Sequence, residues 1–127
     1  MVVREPDWDT LVIDSLECDL TRQILKTHFD QSIRHPNTGR QLYRLFHQAG
    51  LEHVEVADCS TLLLTDFATA NRLYGLEDAA AFMKDQAPEL AESIADWLTA
   101  LHQSDREGTF FSAVTGFMVV GHKPIED

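Results

Sequence analysis

Three carboxylates near the start of the chain could do chemistry together. Glu5, Asp7 and Asp9 alternate along the sequence, and alternate side chains of an extended backbone point to the same face. With Trp8 as an aromatic wall, such a group could orient a polar or cationic substrate. Two other interpretations stay open. The segment could be a solvated acidic turn, or it could bind magnesium, for which the sequence indicates no further oxygen ligands.

One basic residue, Arg40, follows Gly39 at the predicted start of a helix. Backbone amides at a helix N-terminus and a guanidinium can together hold an anion. The alternative is a structural salt bridge to one of the 21 acidic residues. Phe117, on the predicted last strand, could reach a substrate crevice or belong to the core. The predicted substrate-binding residues are Asp7, Trp8, Asp9, Arg40 and Phe117.

Other reactive residue types form no recognised catalytic or metal-binding spacing. The six histidines include no HxH or HxxxH pair, so no metal site is predicted. His28 or His35 could act as a general base. Cys18 and Cys59 lie far apart in the sequence and predict two reduced, partly buried thiols, with a disulfide or a catalytic thiol as alternatives. No residue is assigned a catalytic role.

Composition and charge exclude several classes of protein. Ten Lys and Arg against 21 Asp and Glu give a net charge of −11, which argues against a sequence-independent nucleic-acid binder and against binding to an anionic membrane surface. The chain has 127 residues, of which 44% are hydrophobic. No apolar run is long enough to span a membrane, and the opening residues do not resemble a signal peptide. We expect a single cytoplasmic domain over 1–127.

The residues that carry the candidate chemistry are placed by a few elements. Residues 1–5 predict a strand that closes at Pro6, with a turn at 7–9. The apolar residues 11–13 either extend this strand or begin a lid.

Two helices should follow. The first starts near Asp19 and must end before Pro36, because the residue ahead of a proline disfavours helix. The second starts at Thr38, which has the three-residue offset to Gln41 of a capping box. Gly50 supplies its C-terminal stop.

The second half of the chain predicts a strand, a helical segment and a last strand. Apolar residues alternate over 54–64 and predict a strand. Asp66 then begins a helical segment of about 66–107, in which Pro88 suits the first turn of the longest helix. Gly108 ends that helix, and 110–120 is a β-rich run. A helical insertion of this length is typical of a lid or cover.

Three segments, in this order, carry a family resemblance. Val2–Asp9 is an apolar run that ends in an acidic turn. The segment 39–54 is a helix that ends in Ala-Gly-Leu-x-x-Val, and 110–124 is a strand that finishes at Gly-His-Lys-Pro. This set resembles the C-terminal half of a class I S-adenosylmethionine-dependent methyltransferase of the type that methylates ubiquinone and menaquinone.

The resemblance implies an α/β protein with a partial Rossmann-like fold. The three segments would be the fifth, sixth and seventh strands of that fold, with the last strand inserted antiparallel between the other two. This chain would then form a small mixed sheet of about three strands with flanking helices and a helical insertion before the last strand. No Gly-x-Gly occurs in the sequence, so the half that carries the cofactor loop is absent from these residues.

The resemblance also implies a function and partners. The chain would be the substrate-side portion of an enzyme that moves a methyl group from S-adenosylmethionine to a small molecule, and it would be inactive alone. It would not bind S-adenosylmethionine tightly. Its first strand would lack a neighbour, which predicts a homodimer through that strand. The alternative is a non-catalytic dimerisation or small-ligand-binding module derived from a methyltransferase.

Overall fold

The computed structural model describes residues 1–125, which form three strands and five α-helices. The strands are β1 (Val2–Ile13), β2 (Glu52–Leu64) and β3 (Ser112–His122). The helices are α1 (Cys18–Ser32), α2 (Thr38–Gln48), α3 (Phe67–Tyr74), α4 (Leu76–Gln86) and α5 (Ala91–Arg106), and a short 3₁₀ turn at Pro88–Leu90 leads into α5. The predicted α/β class is confirmed.

The strands form one sheet in the order β1-β3-β2. Met1 and Gly121 exchange backbone hydrogen bonds of 2.7 and 2.9 Å at one end of the β1–β3 pair. At the opposite end of β3, the Ser112 hydroxyl donates to the Leu64 carbonyl at 2.9 Å. The prediction that the last strand is inserted between the other two is confirmed. The prediction of a mixed sheet is wrong, because these contacts join opposite ends of neighbouring strands and β3 runs antiparallel to both β1 and β2.

Strand β1 runs through Pro6, and no turn interrupts it at 7–9, where one was predicted. β1 is an edge strand, and a proline on an edge can direct its missing N–H away from the neighbouring strand. The Trp8 N–H donates not to β3 but to the Pro36 carbonyl at 3.0 Å. Residues 11–13 extend the strand, which was one of the two alternatives.

The pairing of β1 with β3 is irregular near Thr10. The Thr10 hydroxyl accepts a hydrogen bond from the Thr115 N–H at 2.9 Å and donates to the Asp7 carbonyl at 2.7 Å. A side chain therefore takes the place of a backbone group in the ladder. Such bulge-like irregularities let a strand re-aim its side chains, and this one directly follows the acidic residues of the candidate site.

Helices α1 and α2 begin and end close to the predicted positions. α1 begins at Cys18, one residue before the predicted cap, and α2 ends ahead of Gly50, whose φ of 81° is left-handed. The predicted capping box does not form. The α2 N-terminus has no side-chain cap, and the Thr38 hydroxyl donates to the His35 carbonyl at 2.8 Å instead.

The helical insertion at 66–107 is confirmed. The Asp66 carboxylate accepts a hydrogen bond from the Thr69 N–H at 2.8 Å and so caps α3. This backbone hydrogen bond lowers the pKa of Asp66, because it favours the charged form. Gly75 ends α3 in the left-handed conformation, with φ of 68°.

The described residues divide into two compact units. The sheet unit comprises 1–11, 35–62 and 114–125, and the helical unit comprises 12–34 and 63–113. The sheet unit contains α2, and its core consists of Leu42, Phe46, Val119, Val3, Leu51 and Val54. In the helical unit, α4 packs against α1, α3 and α5. The most buried large side chains of this unit are Trp97, Tyr74, Ile24, Leu76, Ile94 and Leu101. A single domain stays a prediction. Within 1–125, no helix is long and apolar enough to cross a membrane.

Candidate functional site

Asp7 lies at the centre of the predicted acidic group and is almost completely buried, with 1% of its side chain exposed. Its carboxylate accepts hydrogen bonds from Nε and Nη2 of Arg40, the latter at 2.9 Å, and from the Asp9 backbone N–H at 3.1 Å. The two-pronged hydrogen bonding with Asp7 raises the pKa of Arg40. The Asp7 carboxylate therefore makes its hydrogen bonds within the protein. Asp7 could act on a ligand only through Arg40.

Asp9 and Arg40 form the exposed edge of this group. The Asp9 Oδ2 atom lies 3.5 Å from Arg40 Nη2, and the two side chains are 38% and 50% exposed. The salt-bridge interpretation of Arg40 is confirmed. Two carboxylates share one guanidinium, so the group carries an excess of negative charge and favours a cation or a hydrogen-bond donor over an anion.

Two glycines allow the helix and the strands to approach closely at this point. A Cβ atom on Gly39 would lie 2.8 Å from the Glu5 carbonyl oxygen and 2.9 Å from that of Pro6. A Cβ on Gly116 of β3 would lie 3.3 Å from the same Glu5 oxygen. Glycine lets two backbones meet at distances that any other residue would prevent. Gly39 thereby positions Arg40 over Asp7.

The remaining predicted residues are partly buried on neighbouring strands. Trp8 is held through its backbone N–H by Pro36. Phe117 is two residues before Val119 on β3, and side chains two residues apart on a strand point to the same face. Because Val119 packs against α2, Phe117 lies on the face of β3 that bears α2. The structure thus brings Asp7, Asp9 and Arg40 into direct contact and places Phe117 on the sheet face that bears α2.

The two histidines that could act as bases differ in environment. His28 is buried, and its Nε2–H donates to the Tyr74 carbonyl at 3.0 Å. Its Nδ1 is enclosed and has no hydrogen-bond partner in the described structure. His35 is exposed at the turn before α2. Neither ring joins the group around Asp7 through any hydrogen bond that the described residues show.

The described residues show no metal-binding cluster and two exposed thiols. Over residues 1–125, no group of three or more His, Cys, Asp and Glu side chains is arranged to hold a metal ion. Cys18 and Cys59 are both free and exposed. The prediction of partly buried thiols is therefore wrong, because both residues lie on solvent-facing positions of their elements.

A second candidate site lies in the helical unit, and sequence reasoning missed it. It is a cleft with a volume of about 580 Å³ between the loop 14–17 and one face of α5. Its lining residues are Asp14, Ser15, Leu16, Glu17, Ser93, Asp96, Trp97, Ala100, Leu101, Gln103, Ser104 and Glu107. Four of these are acidic and none is basic. The signal that could have revealed it is the stripe of small and acidic residues at three- and four-residue spacing along α5.

The floor and the wall of this cleft are held by hydrogen bonds. The Trp97 indole N–H donates to the Thr21 hydroxyl at 2.8 Å, which fixes the ring against α1. In the loop, the Asp14 N–H donates to the Phe111 carbonyl at 3.1 Å, and the Glu17 N–H donates to the Ser15 hydroxyl at 3.1 Å. The cleft is therefore formed by the protein itself, before any ligand enters.

The fold and these sites define an α/β protein with a charged cluster in one unit and an acidic cleft in the other. No protein-family model matches the chain. The chain is similar to a protein of Streptomyces fradiae described as "Uncharacterized 37.1 kDa protein in transposon TN4556", with 34% identity over 122 residues. The match covers 94% of this chain but 33% of that protein. The chain thus spans about a third of the relative's length, and the relative's description names no activity.

Proposed function

We propose that this chain is the substrate-side portion of an S-adenosylmethionine-dependent methyltransferase that acts on a small molecule. The observation that carries the proposal is the strand order β1-β3-β2, in which the last strand lies antiparallel between the other two. The resemblance implies this arrangement for the fifth, seventh and sixth strands of a methyltransferase sheet. The helical insertion between β2 and β3 supports the same template. A partial Rossmann-like fold is part of this proposal.

The residues of this chain do not fit the cofactor. Rossmann-like folds hold the anionic part of a nucleotide cofactor or the amino-acid part of S-adenosylmethionine at a glycine-rich loop between a strand and a helix. In the described part of the chain, the glycines with positive φ are Gly50, Gly75 and Gly108, and each follows a helix. The loop 14–17 after β1 has no glycine and carries two acids. We therefore assign cofactor binding to residues outside this chain and derive no catalytic step here.

Under this proposal the sheet unit orients the methyl acceptor. Methyl transfer depends strongly on the alignment of the nucleophile with the methyl group. Asp9 and the exposed half of Arg40 would contact polar groups of the acceptor, Phe117 would supply an apolar contact, and Asp7 would hold Arg40 in place. Trp8 lies between Asp7 and Asp9 on β1 and therefore points to the other face of the strand, so the predicted role of Trp8 as a wall of this site is not part of the proposal.

The test is a transplantation into the longer Streptomyces fradiae relative. Its aligned segment is replaced by this chain, and binding of S-adenosylhomocysteine is measured by calorimetry for the relative, the chimera and this chain alone. We expect saturable binding by the first two and none by the third. Transfer of a labelled methyl group to a small-molecule extract should follow in the chimera. A relative and a chimera that both ignore the cofactor would refute the proposal.

A second candidate function is a non-catalytic module that dimerises through β1. The observation that favours it is that β1 is an edge strand with an exposed apolar side chain, Val2, which is 62% exposed. Pro6 has no N–H to donate, and the Trp8 N–H is already bonded to the Pro36 carbonyl. The segment 2–5 is therefore the part of the β1 edge that could pair with a second copy.

Sedimentation tests the dimer. We expect a dimer at concentrations well above micromolar, and Val2→Lys should convert it to a monomer. Leu62→Lys is the matched control, because Leu62 is an exposed apolar residue of the other edge strand, β2, with 44% exposure. A wild-type chain that sediments as a monomer would rule out this candidate.

A further inference from the structure

We propose that the cleft of the helical unit binds a small organic cation, specifically an amine on an apolar, ring-sized body. This inference concerns binding alone, so it does not depend on methyl transfer. The volume of about 580 Å³ lies within the range of small-molecule sites in proteins. The loop 14–17 and α5 enclose it from two sides, which suits a compact ligand.

The charge of the lining selects a cation. Asp14, Glu17, Asp96 and Glu107 line the cleft, and the lining residues include no Lys, Arg or His. A positive group in the cleft would gain from the carboxylates nearest to it, whereas an anion would be repelled by them.

Basic residues on the neighbouring helices are engaged elsewhere. Arg22 pairs with Asp19 at 2.8 Å and Lys26 pairs with Asp30 at 3.0 Å, both along α1. At the end of α5, Arg106 Nη2 donates to Gln103 Oε1 at 2.6 Å. Arg106 thus contacts a neutral amide at the edge of the cleft, and the salt bridges of Arg4, Arg22, Lys26, Arg40 and His102 all engage other carboxylates.

The floor of the cleft selects an apolar body. Trp97 and Leu101 are 2% and 1% exposed. The small side chain of Ala100 leaves space above this face of α5. Because Trp97 and Leu101 are almost completely buried and the Trp97 N–H is bonded to Thr21, they form an apolar floor without a free donor. The exposed Ala100 supplies apolar surface that a ligand can contact. Leu16 adds a fully exposed apolar side chain on the opposite wall. A site built before binding loses little free energy in ordering itself.

The test uses three probes that share one body and differ in charge: phenethylamine, 2-phenylethanol and phenylacetate. The chain contains two tryptophans, Trp8 and Trp97, so its NMR spectrum has two indole N–H signals. We expect phenethylamine to shift the Trp97 signal saturably at millimolar concentration. The neutral alcohol should bind several-fold more weakly, and phenylacetate should not bind.

Variants separate the cleft from general surface charge. Asp96→Asn should weaken phenethylamine binding about two- to fivefold, the range for a partly exposed ion pair. Glu92→Gln is the matched control, because Glu92 is an exposed acid of the same helix that does not line the cleft. Ala100→Trp should abolish binding by filling the space. Ala100 is exposed, so this variant should keep its thermal midpoint.

Each contrary result overturns the inference. Equal affinity for the amine and the alcohol would show that charge does not select the ligand. Equal weakening by Asp96→Asn and Glu92→Gln would show that the amine does not bind in the cleft. A Trp97 signal that no cationic probe shifts would show that the cleft takes no such ligand. If a lysine-rich peptide shifts the Trp97 signal at lower concentration than phenethylamine does, the ligand of the cleft is a protein segment and not a small molecule. None of these measurements involves S-adenosylmethionine, so their failure leaves the proposed methyl-transfer function untouched.

Discussion

The sheet unit and the helical unit use their charged residues in different ways. In the sheet unit, Arg40 engages both Asp7 and Asp9, so one of these two negative charges is compensated inside the protein. In the helical unit, four carboxylates line a cleft that contains no basic residue. The sequence pattern indicates the first group because Glu5, Asp7 and Asp9 alternate, although Arg40 is distant in sequence. If the cleft binds a cation as proposed, the absence of a counter-charge among its lining residues is the better guide to a ligand, and it is visible only in three dimensions.

The largest effect should come from breaking the close approach in the sheet unit. Gly39→Ala places a Cβ within 2.8 Å of backbone, and backbone cannot rotate away as a side chain can. We expect a loss of about 3 kcal/mol in the free energy of unfolding, measured by urea titration. Gly116→Ala is the graded control, because its nearest contact is 3.3 Å. Equal losses for the two variants would contradict this view of Gly39.

The corresponding change in the helical unit removes the anchor of the cleft floor. Thr21→Val keeps the shape of the side chain but leaves the buried Trp97 N–H without its acceptor. We expect a loss of about 1–2 kcal/mol, again by urea titration. Thr21→Ser retains the hydroxyl and should recover most of the loss. If Ser and Val unfold alike, the hydrogen bond does not hold Trp97.

A smaller loss of stability should show whether the Arg40–Asp7 ion pair, rather than the burial of Asp7 alone, stabilises the sheet unit. Arg40→Gln leaves the Asp7 carboxylate buried without its cation and should lower the urea midpoint. Arg40→Lys should lie between wild type and Gln, because lysine cannot form the two-pronged contact. Adding Asp7→Asn to Arg40→Gln should restore part of the stability, since it removes the uncompensated charge. A double variant less stable than Arg40→Gln would argue against this.

The smallest effect concerns the cap of α3 in the helical unit, and it depends on pH. The pKa of Asp66 is lowered in the folded state, so its stabilising contribution is complete above its ordinary pKa of about 4. The contribution is lost as the pH falls through the lowered folded value. Asp66→Ala should therefore reduce the thermal midpoint at neutral pH but not in strong acid. Asp66→Asn retains a cap without the titration, and a pH-independent difference for Ala would refute the assignment.

Local chemistry made much of the fold predictable. Asp66 and Gly75 mark helix ends through their own hydrogen bonds and dihedral preferences, and those ends are where the sequence predicts them. Pro88 is predicted in the first turn of the longest helix, but it lies in the 3₁₀ turn Pro88–Leu90, and α5 begins at Ala91. The prediction that the first strand ends at Pro6 is wrong, because a proline is tolerated within a strand at a sheet edge. The resemblance already implied that edge position for β1, so the error lies in treating Pro6 as a strand end.

The two sites were predictable to different degrees. The contact of Asp9 with Arg40 follows from residue types that the sequence displays. The burial of Asp7 does not, because it depends on the approach of Gly39 to the backbone of β1. The stripe of small and acidic residues along α5 is visible in the sequence, but the cleft also requires the loop 14–17 to face that helix. The two segments are far apart in sequence, so the stripe alone could not place the cleft.

The stripe of small residues along α5 has a consequence for how this protein can diversify. Ser93, Ala100 and Ser104 shape the cleft but contribute nothing to the apolar core. Substitutions at exposed positions of this kind usually change folding stability by less than about 0.5 kcal/mol. Larger or differently charged residues at these positions would therefore reshape the cleft at little cost in stability, while Ile94, Trp97 and Leu101 on the buried side keep the helix in place.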